Sequence, residues 1–138
     1  ADVVKETLDG TNLGGLSPGD EVDLERPMAA DGRFDGHIVQ GHVDGTGRIL
    51  ETRPEGDSIR MLISVPDSLE HYIVEKGSIT VDGVSLTVAA VGEQSFEVAL
   101  IPHTLEVTVL GGRTGGDIVN LEADVLAKYV ERLLRGER

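Results

Sequence analysis

The chain has 138 residues, the size of one ordinary domain and enough to bury a real core. Its formal net charge of -13, with no basic cluster to reverse the field locally, argues against nucleic-acid binding. It has no cysteine, which excludes disulfide frameworks and thiolate metal sites, and no apolar run has the length of a membrane span. No signal peptide is read at its start, so a cytoplasmic location is the expectation. Gly is abundant at 18 residues while aromatics make up 3%, a balance that favours short strands joined by tight turns.

The opening ADVV reads as the tail of a strand, so residues upstream of Ala1 are expected. A Gly-rich connection follows, then the turn signal Ser17-Pro18-Gly19-Asp20 and a strand over 21–24. Residues 29–36, polar and Gly-containing, are the candidate linker. GHIVQGHVDGTGRILET, residues 36–52, reads as one long bent strand whose Gly41, Gly45 and Gly47 permit bulges or close approaches. Pro54-Glu55-Gly56-Asp57 turns the chain into a strand over 59–65. Pro66-Asp67-Ser68 then starts a short helix, capped by Asp67 or Ser68, with Leu69, Tyr72 and Ile73 on one side and Gly77 as its C-cap.

KGSITVDGVSLTV, residues 76–88, is the clearest element: two β-branched strands closed by Asp82-Gly83, the dipeptide suited to a tight hairpin. Alternation places Ser85 and Thr87 on one face, and Val84, Leu86 and Val88 on the other. Two neighbouring hydroxyls make a polar shelf, or simply a solvated face. Lys76 and Asp82 flank the hairpin and are positioned to pair across it. The strand runs on to a turn at Gly92-Glu93-Gln94, residues 95–101 return, and Pro102 ends them. A second Gly-rich connection and a last strand over 117–123 complete the set.

Residues 6–25, ETLDGTNLGGLSPGDEVDLE, align without gaps on residues 103–122, HTLEVTVLGGRTGGDIVNLE, with 11 of 20 positions identical. Turn chemistry alone explains the glycines but not the Thr-Leu and Val-x-Leu-Glu matches, so the pattern reads as a repeat. One unit is then complete, with about six strands and one short helix, the strand count of a small closed barrel. Residues 1–28 hold only the end of another copy and need a partner to satisfy their edge. The tail from Asp124 reads as a capped helix with an apolar stripe of Val125, Leu126, Tyr129, Val130, Leu133 and Leu134. Glu131 and Arg135 pair on its wet side. The stripe demands a cover, either the helix's own barrel or another subunit.

His37 and His42 each follow a glycine. Five residues apart on a strand they face opposite ways, a poor geometry for a shared metal, and no metal site is expected. His42, beside Asp44, is a candidate acid/base group or a structural histidine. Thr7 and Thr104 open the two repeat copies, each as a turn-capping hydroxyl or a binding group.

GHIVQGHVDGTG, YIVEKGSITVDGVSLTV, LIPHTLEVTVLG and VNLEADVLAKYVERLL resemble the second half of the riboflavin synthase family, and KETLDGTNLGGLSPGDEVDLERPM resembles the end of its first half. The resemblance implies a mainly β chain folded as a six-stranded Greek-key barrel with one short internal helix. Residues 1–28 would be the remnant of a first lumazine-binding barrel, 29–36 a linker, 37–124 the complete second barrel, and 124–138 a helix that assembles a homotrimer. It further implies a transferase of riboflavin biosynthesis, without metal or cofactor. The reaction converts two molecules of 6,7-dimethyl-8-ribityllumazine to riboflavin and 5-amino-6-ribitylaminouracil, at sites where the first barrel of one subunit faces the second barrel of its neighbour. By the same resemblance Ser85, Thr87 and His42 are the candidate catalytic residues. Ser85, Thr87, Ile101, Thr104, Thr7 and Lys76 are the candidate substrate-binding residues. With most of the first barrel outside this sequence, the isolated chain is expected to bind lumazine or flavin weakly and to catalyse poorly or not at all. The competing classes are a non-catalytic lumazine or flavin carrier, a reductase flavin barrel, whose Arg-x-Tyr-Ser/Thr signature is missing, and a module whose tail helix only drives assembly.

Overall fold

The computed structural model describes residues 2–34 and 36–136. Six strands, β1 (Gly45–Glu55), β2 (Ser58–Ser64), β3 (Ser78–Val81), β4 (Val84–Gly92), β5 (Ser95–Leu100) and β6 (Ile118–Ala123), close into a barrel in the order β1-β2-β5-β4-β3-β6. Every pairing is antiparallel. β3, β4 and β5 follow one another as hairpins while β2, joined to β3 by a longer connection, lies beside β5, the Greek-key arrangement. Closure leaves no strand edge to template aggregation.

The turns show why these residues make these hairpins. Asp82 and Gly83 both take positive φ, 48° and 81°, as a two-residue turn of this hand requires, and Gln94 (φ 52°) and Gly56 (φ 60°) serve the other two hairpins. Alternation then sends Ile79, Val81, Phe96, Val98, Leu100, Val119 and Leu121 into the core, with Leu69, Ile73 and Leu110 closing its ends. Each such side chain contributes roughly 1.5–3 kcal/mol of burial. A Cβ at Gly47 would stand 2.3 Å from the Ser64 carbonyl oxygen, so the expected close approach occurs there, whereas β1 bulges at Leu50.

Several expectations are corrected. Residues 2–4 and 21–24 form no strand: the first lead into α1 (Lys5–Gly10), and Leu24 is 90% exposed with no ladder beside it. A second missed helix, α3 (Pro102–Val107), begins at Pro102, because proline's fixed φ suits a first helical turn as well as it ends a strand. Among the described residues three short α-helices therefore precede the tail, where one was expected. The internal helix α2 (Asp67–Glu70) has Pro66 at its N-cap and no side-chain cap; Asp67 instead accepts from the Gln94 side chain. The positive φ after it falls on Lys76 (65°), not Gly77, whose lack of a Cβ makes room for Val74. The long strand expected over 36–52 begins only at Gly45. Before it, the N–H groups of Gln40 and His42 go to the side-chain carboxylate of Glu122 rather than to a strand carbonyl.

The two aligned segments fold alike. α1 is followed by a 3-10 turn, Asn12–Gly15, and α3 by another, Val109–Gly112, each element displaced by 97 positions from its counterpart. Thr11 Oγ1 donates to the Thr7 carbonyl and accepts from Leu13 N–H; Thr108 does the same with Thr104 and Leu110. Gly19 and Gly116 share a φ of 97°. The segments also clasp each other reciprocally: Asn12 N–H donates to Asn120 Oδ1 at 2.8 Å, and Val109 N–H to Asp23 Oδ1 at 2.9 Å.

The tail helix α4 (Val125–Gly136) is capped by Asp124, whose Oδ1 accepts from Leu126 N–H. Its polar face meets the barrel: Lys128 lies 2.8 Å from Asp44 and Glu131 3.0 Å from His71. The side expected to be wet is thus the docked side. Tyr72 and His71 hydrogen-bond Glu131 and hold its carboxyl below the usual range. The stripe of Leu126, Tyr129, Val130, Leu133 and Leu134 is exposed. No described helix is long and apolar enough to cross a membrane.

Candidate functional site

The hairpin between β3 and β4 sets the site. Register pairs Ser85 with Thr80 and Thr87 with Ser78, and β3 in turn pairs Thr80 with Glu122 on β6. Ser85, Thr80 and Glu122 therefore form one row across three strands, on the face away from the core, and residues 37–42 lie over that row. The His37 ring bridges its first two members: Ser85 Oγ is 2.6 Å from Nδ1 and Thr80 Oγ1 3.1 Å from Nε2. In a neutral imidazole one nitrogen donates and the other accepts, so each hydroxyl can complement it by rotating. Thr80 is 2% exposed, and His37 satisfies its hydroxyl.

Ser85 remains exposed and is shared by two open clefts. One, of about 720 Å³, lies under residues 25–41 and includes Arg26, Met28, Phe34, His37 and Gln40. The other, of about 480 Å³, is bounded by residues 22–25, Gly83, Val84, Val107 and Thr108. A hydroxyl backed by an imidazole, opening onto clefts of mixed apolar and polar lining, can donate to or accept from a planar heterocycle.

The other expected residues are placed less centrally. Thr87 shares the exposed face of β4 with Ser85. The His42 ring contacts the Gln40 carbonyl at 3.2 Å, so the histidine at Ser85 is His37 and not His42. Ile101, 56% exposed, is the N-cap of α3, and Thr104, half-buried, lies within that helix. Thr7 occupies the matching position in α1, part of the other aligned segment. Lys76 is exposed and its N–H donates to the Val88 carbonyl. It does not meet Asp82, whose carboxylate faces Arg113 at 3.5 Å and accepts from Asn120 N–H. Burial pushes Asp82 above its ordinary 3.8, helped by Asp23 and opposed by Asn120 and Arg113. No group of three or more metal-ligating side chains occurs among the described residues.

The model of the lumazine binding domain matches residues 40–124. Riboflavin synthase from Mycobacterium tuberculosis is 55% identical over 138 residues, covering 98% of this chain and 69% of that protein. The enzyme from Actinobacillus pleuropneumoniae is 53% identical over 134 residues, covering 97% and 62%. The chain belongs to the riboflavin synthase family. It spans 62–69% of the length of these relatives. Among solved structures, LumP complexed with 6,7-dimethyl-8-(1'-D-ribityl) lumazine superposes with a TM-score of 0.77 at 19% identity, over 87% of this chain and 64% of that one. LumP complexed with riboflavin gives 0.78 at 24%, over 87% and 65%. At those identities the likeness is one of fold. The domain match contains Ser85, Thr87, Ile101, Thr104, Lys76 and His42 and leaves His37 three residues outside it.

Proposed function

We propose that this chain carries one lumazine-binding wall of a riboflavin synthase site and serves the conversion of two 6,7-dimethyl-8-ribityllumazine molecules to riboflavin and 5-amino-6-ribitylaminouracil. The observation that carries the reading is the Ser85–His37–Thr80 hydrogen-bonded set, facing open clefts on a lumazine-domain barrel. The methyl group at carbon 7 of the lumazine is acidic because the ring delocalises the charge. Much of the barrier is then lowered by holding two rings in opposition. Ser85 and Thr87 hydrogen-bond one ring, with Ile101 and Thr104 at the start of α3 as its apolar and polar flank and Lys76 at the rim. The proton-transfer role expected of His42 suits His37 better, since His37 is the imidazole within reach of Ser85.

Residues 1–28 are the end of a first barrel, as their shared local fold with 102–122 supports; 29–36 link them to the barrel over 37–124, and the tail from Asp124 carries the assembly helix, α4. Thr7 belongs to the first-barrel pocket. The exposed stripe of α4 is covered by other copies in a cytoplasmic homotrimer. The first barrel's share of the site being outside this sequence, the chain alone binds weakly and turns over poorly.

Fluorescence titration of the chain with 6,7-dimethyl-8-ribityllumazine tests the reading. Binding is expected to weaken about five- to tenfold in Ser85→Ala and in His37→Ala, the effect of one lost hydrogen bond. A chain that leaves the ligand's fluorescence unchanged at millimolar concentration overturns it. An intact relative with the serine matching Ser85 changed to alanine that binds and turns over normally would remove Ser85 from the site.

A further inference from the structure

The His37 ring meets Ser85 only because residues 38–44 cross the barrel's outer face, and none of residues 38–43 pairs in a ladder. The last backbone bond of the β1–β6 ladder in this direction runs from Asp44 N–H to the Leu121 carbonyl. Beyond it, the Glu122 carboxylate takes over: Oε2 accepts from Gln40 N–H at 2.8 Å and Oε1 from His42 N–H at 2.9 Å. Glu122 is 4% exposed, so these are charge-assisted bonds shielded from water. Gly41 between the two donors takes φ +75°, and the two N–H groups converge on one anion as in a backbone nest. A buried carboxylate left without such donors is costly, so the segment and the side chain hold each other in place.

We propose that Glu122 is a positioning residue: by clamping the backbone at Gln40 and His42 it holds His37 between Ser85 and Thr80 and so sets the ligand-facing hydroxyl. This rests on the functional reading of Ser85 given above. The neighbouring row explains the reach, since Glu122 and Thr80 are cross-strand partners and both lie beneath the same segment. Asp44 pins the far end of that segment, its Oδ2 accepting from Ala123 N–H at 2.8 Å, so Glu122 is the tie nearer to His37.

Glu122→Gln in the isotopically labelled chain tests this by NMR. Exchange of the Gln40 and His42 amides is expected to accelerate at least about tenfold, the His37 ring resonances to move, and the ribityllumazine Kd to rise about five- to tenfold, while amides of Val98 and Val119 stay protected. Should Glu122→Gln unfold the barrel, Gly41→Ala supplies the same test from an exposed site. An added Cβ there meets nothing within 4 Å, so only the φ opposes alanine. Unchanged amide exchange and unchanged ring resonances in a folded variant overturn the proposal. So does a displaced His37 with undiminished ligand affinity where His37→Ala does weaken binding. The amide and ring readouts need no ligand. If Ser85→Ala and His37→Ala both leave binding intact, the functional reading falls, and a displaced His37 in Glu122→Gln still upholds the positional role.

Discussion

Residues 5–25 and 102–122 share about half of their aligned positions, fold alike at first and end in different states. Both form a helix, a 3-10 turn with a threonine cap and a left-handed glycine before an aspartate. The second copy then enters β6, paired on both sides, while the first forms no strand. Helices, caps and turns close their hydrogen bonds within a few residues, so local sequence suffices for them. A strand has no internal partners, so the same Val-x-Leu-Glu becomes β6 only where β1 and β3 flank it.

The largest test of that difference is at its core end. Leu121 is fully buried and its counterpart Leu24 is 90% exposed. Leu121→Ala is expected to cost about 2–5 kcal/mol in urea unfolding, and Leu24→Ala to stay within about 0.5 kcal/mol. Equal losses would mean that residues 21–25 are packed in solution. A smaller contrast separates the glycines of the two turns. A Cβ at Gly111 would fall 2.0 Å from the Leu105 carbonyl oxygen, and one at Gly14 would fall 3.2 Å from that of Leu8. Gly111→Ala is expected to cost about 1–3 kcal/mol and Gly14→Ala clearly less, read as the shift in unfolding midpoint of each variant. A Gly14→Ala loss as large as that of Gly111→Ala would show that the two turns are equally tight.

The same division of local from non-local decides what could be read in advance. The Asp82-Gly83 hairpin was legible to the residue, because turn chemistry and alternation agree there, and so was the face shared by Ser85 and Thr87. The six strands and their closure followed from repeated units of that kind. The short helices α1 and α3 were hidden because six residues offer little periodicity and Pro102 signals a start and a stop equally. His37 was set aside for want of a shared face with His42, an inference that assumed a strand over both; the departure from the ladder at Asp44 removes the assumption. Glu122 left one trace, an outward-facing glutamate matched by Glu25 in the other copy, where strand patterning gives no reason for the identity. The stripe on α4 said which face is apolar but not which face docks, since Lys128 and Glu131 find polar partners, Asp44 and His71, that only the folded chain provides.

The smallest effect probes the clasp between the copies. Asp23 occupies the position matched by Asn120, and Asp23→Asn makes the two alike. Asp82 then loses a neighbouring negative charge, and its carboxyl is expected to move down in a carbon-13 titration. Burial, the larger cause of its elevation, stays in place in the variant. The sign for stability follows. A carboxyl that binds its proton more tightly when folded stabilises the fold at acid pH and gives that contribution up as pH rises from 3.8 through its elevated value. The parent is therefore expected to lose stability across that window, and Asp23→Asn to lose less of it, in urea unfolding followed at a series of pH values. An Asp82 titration unmoved by Asp23→Asn would show that the first copy does not rest against the hairpin in solution. The hydrogen bond from Val109 to Asp23 would then be absent as well, and the clasp would reduce to Asn12 and Asn120.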